Sequence, residues 1–272
     1  MSQNIFSKFK KYVKQILYKH ITETLVEEFQ DPVCAEVVYR VVDRKLPILR
    51  SLDTRRLEFT SGTKYAYSTI YLDKHRADQP IYLIVQDLTN SFFRRKSRMR
   101  SALVLGCAGC SIPRFLVMTY KRVQVTGVEY SEKMIEIAQK YFLNKPMEKR
   151  FTLLHDDAFA FVHKTTDQYD FIHVDVFVAE KNHPQTFTDD FMKALSNIMS
   201  ENSIAILNCL NLTKNDCNNF ALRFWDEFTA AYVVDERFHY YVVFVKASDP
   251  ATLKGFETRV AKYARIDERY VH

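Results

Sequence analysis

The chain has 272 residues, 47% hydrophobic and 14% aromatic, which excludes a disordered chain and suits one moderately large domain with an N-terminal extension. A net charge of +6 permits acidic partners without requiring one, and five cysteines in no paired pattern exclude a secreted disulfide scaffold. No apolar run reaches the length of about 18 residues that a membrane span needs, and no signal-peptide core is present, so a cytoplasmic protein with reduced thiols and no transmembrane segment is expected.

In chain order, residues 4–29 place Ile5, Phe9, Tyr12, Val13, Ile16, Leu17, Ile21 and Leu25 at helical spacing among Lys8, Lys10, Lys11 and Lys14. The pattern predicts a basic amphipathic helix, lying on a membrane surface or packed on the domain's flank or on a partner subunit. Asp31-Pro32 reads as an N-cap with proline at the first helical position, opening a second helix from Val33 to about Leu46. Over 57–88 the period changes to two: Tyr65, Tyr67, Thr69 and Tyr71 alternate with Ala66, Ser68, Ile70 and Leu72. This predicts an antiparallel hairpin whose second strand is Ile81–Val85. The expected division is therefore N-terminal helices over 1–50, a small β unit over 51–95 and the main domain over 96–272. Arg94 to Arg100 holds five basic residues in seven, but no zinc-finger spacing or RNA-binding aromatic motif accompanies it, so it reads as a solvated connection and no nucleic-acid partner is expected.

Residues 102–176 carry the strongest signal. Four apolar runs, Ala102–Leu105, Val123–Val128, Phe151–Leu154 and Phe171–Val174, alternate with amphipathic segments, which predicts parallel βαβ units. Ligands of open parallel sheets bind beyond the carboxyl ends of the strands. There the sequence puts a small-residue turn, Gly106-Cys107-Ala108-Gly109-Cys110, and the acids Glu129, Asp156, Asp157 and Asp175. Gly106 and Gly109, with Ala108, let backbone approach a ligand. Glu129 follows Gly106 at the interval of about 20 residues that suits an acceptor for ribose hydroxyls, and Asp157 can accept from an exocyclic amine such as adenine's. Cys107-Ala-Gly-Cys110 lacks a second ligand pair, so no metal site is expected. His173, inside an apolar run, reads as a satisfied core histidine. His183, in the loop after the fourth run, is a candidate general base. Beyond it, Phe187–Met199 and Lys214–Ala231 read as helices, Ser203–Leu210 as a buried strand, 232–237 and 239–246 as a closing hairpin, and 251–272 as a charged helix.

The stretch Leu103-Val-Leu-Gly-Cys-Ala-Gly-Cys-Ser-Ile-Pro-Arg114 resembles the first motif of the spermidine synthase-like branch of class I S-adenosylmethionine-dependent methyltransferases. Val125 to Phe142 resembles its second motif, Phe151 to Val162 its third and Tyr169 to Phe177 its fourth, and the likeness runs from about Leu57 to Lys246. It implies an α/β fold: a Rossmann-like seven-stranded sheet with helices on both faces, preceded by the small antiparallel β unit and N-terminal helices. It also implies S-adenosylmethionine, or its decarboxylated form, as cofactor. Gly106 and Gly109 would line the methionine part, Glu129 would hold the ribose, and Asp157 and Ala158, beside Asp156, would flank the adenine. Asp175 would sit beside the reacting centre or the cofactor's amino group, and Tyr67 would line the substrate pocket. A small-molecule acceptor and a homodimer fit the same likeness. The chain also departs from the pattern. Val178 stands where polyamine-making members carry a catalytic aspartate, Ser68 stands where they have glutamine, and Cys107, Ala108 and Cys110 replace usual glycines. The first two departures speak against aminopropyl transfer, so methyl transfer is the expected activity; aminopropyl transfer is the first alternative, and the eroded glycine turn favours the second, a non-catalytic relative that binds a nucleoside ligand or a partner protein.

Overall fold

The computed structural model describes residues 21–31, 34, 36–46, 49–60, 64–73, 76, 84–93, 98–178, 181–236, 239–261 and 265–271. The chain divides into two compact units, Met1–Ile81 and Tyr82–His272.

The first unit is a four-stranded antiparallel sheet of β1 (Thr22–Gln30), β2 (Val38–Lys45), β3 (Thr54–Thr60) and β4 (Lys64–Tyr71), in that order. Two expected helices are thereby corrected: residues 22–30 and 38–45 are strands, and the remainder of 4–20 lies outside the described residues. The reason lies across the strands. Val37, Tyr39 and Val41 are buried at a period of two, and Tyr39 stacks on Phe29 with ring centroids 5.2 Å apart. Directly opposed residues pair by charge, Glu28 with Arg40 at 2.6 Å, Glu23 with Arg44 at 2.8 Å and Asp43 with Arg55 at 2.7 Å. Asp31 does cap, but it caps a turn. Its Oδ1 accepts from the Cys34 N–H at 2.7 Å, and its own N–H donates to the Val37 carbonyl at 2.9 Å, which closes the β1–β2 connection.

The second unit opens with α1 (Ile84–Phe92), a helix where Ile81–Val85 was expected to be a strand; residues 81–83 lie outside the described residues. Ile84, Val85, Leu88 and Phe92 recur at helical spacing and are buried, so the apolar run serves a helix face. Then follow β5 (Ser101–Leu105), α2 (Ser111–Thr119), β6 (Gln124–Glu129), α3 (Glu132–Tyr141), α4 (Lys145–Glu148), β7 (Phe151–His155), α5 (Ala158–Lys164) and β8 (Tyr169–Val174). A two-strand hairpin of β9 (Phe177–Val178) and β10 (Lys181–Asn182) leads to α6 (Asp189–Asn197), β11 (Met199–Cys209), α7 (Lys214–Phe224), β12 (Ala230–Glu236), β13 (His239–Lys246), α8 (Pro250–Val260) and β14 (Arg265–Val271).

The sheet order is β14-β12-β13-β11-β8-β5-β6-β7. Strands β7, β6, β5, β8 and β11 run parallel, and β13, β12 and β14 join by antiparallel pairing. The expected seven strands are present, and β14 adds an eighth: the segment read as one C-terminal helix is a helix to Val260 and then a strand against β12. Both faces of the sheet are buried, which is why its strands read as unbroken apolar runs. Ala102, Val104, Phe171 and Ile206 face one cluster with residues of α1, α2 and α8, while Leu103, Leu105, Ile172 and Leu207 face a second with residues of α5, α6 and α7. Burying a side chain such as Leu103 contributes roughly 1.5–3 kcal/mol. No helix among the described residues is long and apolar enough to cross a membrane.

Candidate functional site

The chain winds outward from β5 to β7, then returns to lay β8 on the other side of β5. The strand order reverses between β5 and β8, and a ligand crevice belongs at such a switch point. The glycine turn follows β5, and Asp175 follows β8. The two segments touch: the Asp175 N–H donates to the Leu105 carbonyl at 2.8 Å, and a Cβ placed on Gly106 would lie 2.2 Å from the Asp175 carbonyl oxygen. With φ at +81°, Gly106 has both a steric and a conformational reason to be glycine. Ala108 and Cys110 also adopt positive φ, 42° and 59°, so the turn is tight despite its sparse glycine.

Glu129 locks that turn. Its Oε2 accepts from the N–H groups of Cys107 and Ala108, both at 3.0 Å, and its Oε1 from Ser131 at 3.1 Å. A carboxylate offers about four acceptor positions, so about one remains for a ribose hydroxyl. At the end of β7, Asp157 caps α5 by accepting from the Ala160 N–H at 2.7 Å, and Ala158 is buried as that helix's first residue. The neighbouring Asp156 accepts from the Asp157 N–H and pairs with Lys164 at 2.5 Å. The bond from Lys164 holds its carboxyl below the usual carboxylate range. His155 contacts the Tyr130 carbonyl at 3.0 Å, and Tyr130 itself is exposed.

The two thiols of the turn are packing. Both are buried, and burial pushes both above the ordinary thiol range, so they are protonated and inert at neutral pH. The Cys107 sulfur packs against β6, where a Cβ on Gly127 would meet it at 2.6 Å. Among the described residues, no three His, Cys, Asp or Glu side chains gather as a metal would require.

On the β8 side, Asp175 Oδ1 accepts from Asn208 Nδ2 at 2.9 Å, and the Asn208 carbonyl accepts from Asn182 Nδ2 at 2.6 Å. This chain ties the β9–β10 hairpin and the end of β11 to Asp175. The side-chain oxygens of Asn182 and Asn208 are sealed from solvent and have no hydrogen-bond donor. Sequence reasoning missed both residues. The rule that found Glu129 and Asp175, a polar residue closing an apolar strand, also picks Asn208 at the end of Ile204–Leu207.

His173 is buried as expected but is not satisfied: neither ring nitrogen has a partner. Its register neighbours across the sheet are Val104 and Ile206, which offer side chains without polar atoms. Burial holds its pKa below the ordinary histidine value, with the Asp175 charge opposing. His183 stacks on Phe159, with ring centroids 4.7 Å apart, and its Nδ1 accepts from the Gln185 N–H at 3.3 Å. In the neutral ring that bond leaves the proton on Nε2, which makes His183 a donor rather than a ready general base. Val178 lies in β9 and is 43% exposed. Glu180 lies outside the described residues, as does the side chain of Tyr67, whose backbone belongs to β4. Gly109 lies in the turn between Ala108 and Cys110.

Comparison with known proteins places this geometry. Residues 86–246 match the family described as the spermine/spermidine synthase domain. The chain is 25% identical over 167 residues to a polyamine aminopropyltransferase of Vibrio vulnificus, an alignment covering 60% of this chain and 54% of that protein. It is 32% identical over 74 residues to an eEF1A lysine and N-terminal methyltransferase homolog of Drosophila pseudoobscura, covering 27% of this chain and 11% of that protein. The chain thus spans about half the length of the first relative and about a tenth of the second. Among solved structures it is similar to a probable spermidine synthase from Corynebacterium glutamicum, with TM-score 0.63, 14% identity and coverage of 87% and 86% of the two chains. A spermidine synthase in complex with the transition-state analogue AdoDATO gives TM-score 0.54, 16% identity and coverage of 90% and 78%. Human methyltransferase-like protein 13 in complex with SAH gives TM-score 0.50, 19% identity and coverage of 68% and 91%. These likenesses establish the fold.

Proposed function

The chain belongs to the spermine/spermidine synthase domain family, and from that membership and the site's geometry we propose that it binds S-adenosylmethionine and transfers its methyl group to an amine acceptor. The observation that carries this reading is the pairing of an assembled glycine turn, locked by Glu129, with a valine at position 178, where aminopropyl-transferring members carry an acid. The residues fit such a cofactor. The edge presents acids and acceptors to a ligand that is a cation bearing hydroxyl and amino donors. When bound, the cofactor supplies an already activated methyl group, so the protein's work is alignment. Gly106 keeps the turn's backbone close to Asp175, Glu129 offers its remaining acceptor position to a ribose hydroxyl, and Asp157 offers an acceptor at the adenine edge. Asp175, fixed by Asn208, orients the polar groups at the reacting centre. The names of the fly and Vibrio relatives both concern amines, which favours an amine acceptor here. A cytoplasmic setting, with five reduced cysteines, belongs to the same reading.

Aminopropyl transfer from decarboxylated S-adenosylmethionine is the second reading, favoured by the Vibrio relative. An assay with putrescine and that donor separates the two. Little or no spermidine is expected from the wild type, and robust spermidine formation would install aminopropyl transfer instead. The valine cannot supply the general-base help that is worth about 10²–10⁴-fold in rate.

A further inference from the structure

Methyl transfer by alignment leaves His183 without a part as general base, because the ring carries a hydrogen where a base needs a lone pair. Its Nδ1 accepts from the Gln185 N–H at 3.3 Å, so in the neutral ring the proton sits on Nε2. Among the described residues Nε2 donates to no acceptor, and the side chain is partly exposed rather than sealed. The site therefore holds an imidazole N–H that a ligand can use.

The place of His183 in the fold says which part of a ligand it meets. Its ring stacks on Phe159, with centroids 4.7 Å apart and planes 37° from parallel. Phe159 is buried and packs edge-on against Phe191 of α6, with centroids 5.0 Å apart, so the platform beneath the imidazole is held from both sides. Phe159 follows Asp157 by two residues, about 3 Å along the helix axis. The backbone holds the other side: the His183 N–H donates to the Val176 carbonyl at 3.0 Å, one residue beyond Asp175. His183 thus reaches from the strand end that carries Asp175 to the helix that Asp157 caps. Asp157 commits Oδ1 to the Ala160 N–H, and its Oδ2 receives no donor among the described residues. One acceptor and one donor, Asp157 Oδ2 and His183 Nε2–H, stand on neighbouring positions of one edge.

Adenine offers the complement of that pair: an amino group that donates, flanked by ring nitrogens that accept. A 6-oxo purine would instead turn a carbonyl oxygen toward the Asp157 carboxylate, two acceptors without a proton between them. Resting on the reading that this edge binds an adenosyl cofactor, we infer that His183 is a specificity-determining residue for the base, its Nε2–H donating to the adenine ring nitrogen beside the amino group that Asp157 accepts. The same contact couples base binding to the loop after β8, since the residue that reads the base also holds the Val176 carbonyl.

The test is calorimetry on the full chain with S-adenosylhomocysteine and with its 7-deaza and 1-deaza analogues, each of which replaces one ring nitrogen beside the amino group with C–H. One of the two analogues is expected to bind the parent about threefold to tenfold more weakly, the loss that one hydrogen bond implies. His183→Phe keeps a ring on Phe159 and removes the donor. It should weaken S-adenosylhomocysteine by the same factor and bind that analogue as well as it binds S-adenosylhomocysteine, which is the signature of a direct pair. His183→Ala gives the same readout should the phenylalanine variant not fold. A histidine that serves only to hold the loop would weaken all three ligands together and leave the parent's discrimination in place, which would overturn the assignment. A parent that binds all three ligands alike would also overturn it, while leaving the adenosyl reading intact. If S-adenosylhomocysteine does not bind the parent, the adenosyl reading falls and this inference with it.

Discussion

On the β5–β6–β7 side of the sheet the acids are already engaged: Glu129 takes three backbone N–H groups, Asp157 caps α5 and Asp156 holds Lys164. On the β8–β11 side two amide oxygens and both nitrogens of His173 have no partner. On the first side the chain itself engages the acids before any ligand arrives. The second has hydrogen-bonding capacity that the fold leaves unspent. Substitutions on the first side should therefore cost the fold and the cofactor together. Substitutions on the second should be mild for the fold.

The largest effect belongs to Gly106→Ala. Positive φ costs an L-residue about 1–2 kcal/mol, and the new Cβ meets the Asp175 carbonyl at 2.2 Å. Adding an overpacking cost of about 1–3 kcal/mol, chemical denaturation should show a loss of about 3 kcal/mol or more. Parental stability in this variant would mean the turn is not held as described. Next is Glu129→Ala, which removes one charged acceptor from three backbone donors and from the proposed ribose contact. Adenosyl ligands should bind about 1.5–3 kcal/mol more weakly by calorimetry, and the melting temperature should also fall. A folded variant that bound such ligands like the parent would take Glu129 out of the ribose site.

The same contrast explains what was legible in the sequence. Gly106, Glu129 and Asp157 are local signals: a turn that needs small residues, an acid at a fixed interval, and a cap before a helix. The helices expected over 4–29 and 33–46 gave way to strands at 22–30 and 38–45 because apolar spacing and a cap signal are local, whereas Glu23, Glu28, Arg40 and Arg44 find their partners only across strands. The C-terminal strand β14 was hidden for the same reason, since it is defined by pairing with β12. The tie from Asn182 through Asn208 to Asp175 joins residues distant in the chain, which only the fold reveals. His173 was placed correctly in the core, but its lack of partners comes from Val104 and Ile206 standing on either side.

A smaller effect, and opposite in sign, is expected on the second side. His173→Leu removes two buried nitrogens that nothing compensates, so it should stabilise the fold by about 1 kcal/mol near neutral pH. Because burial lowers the folded-state pKa of His173, the unfolded chain binds the proton more readily, and stability falls as pH drops below about 6.5. Replacing the histidine should flatten that part of the stability profile. A variant less stable than the parent at pH 7.5, with the same acid dependence, would mean the ring has a partner that holds it.

Calorimetry with S-adenosylmethionine, its decarboxylated form and methylthioadenosine addresses the central claim most directly. S-adenosylmethionine is expected to bind most tightly, by about tenfold or 1.4 kcal/mol over the decarboxylated form. Preference for the decarboxylated form would contradict methyl transfer in favour of aminopropyl transfer, and silence for all three would leave a relative that has kept the fold without the chemistry.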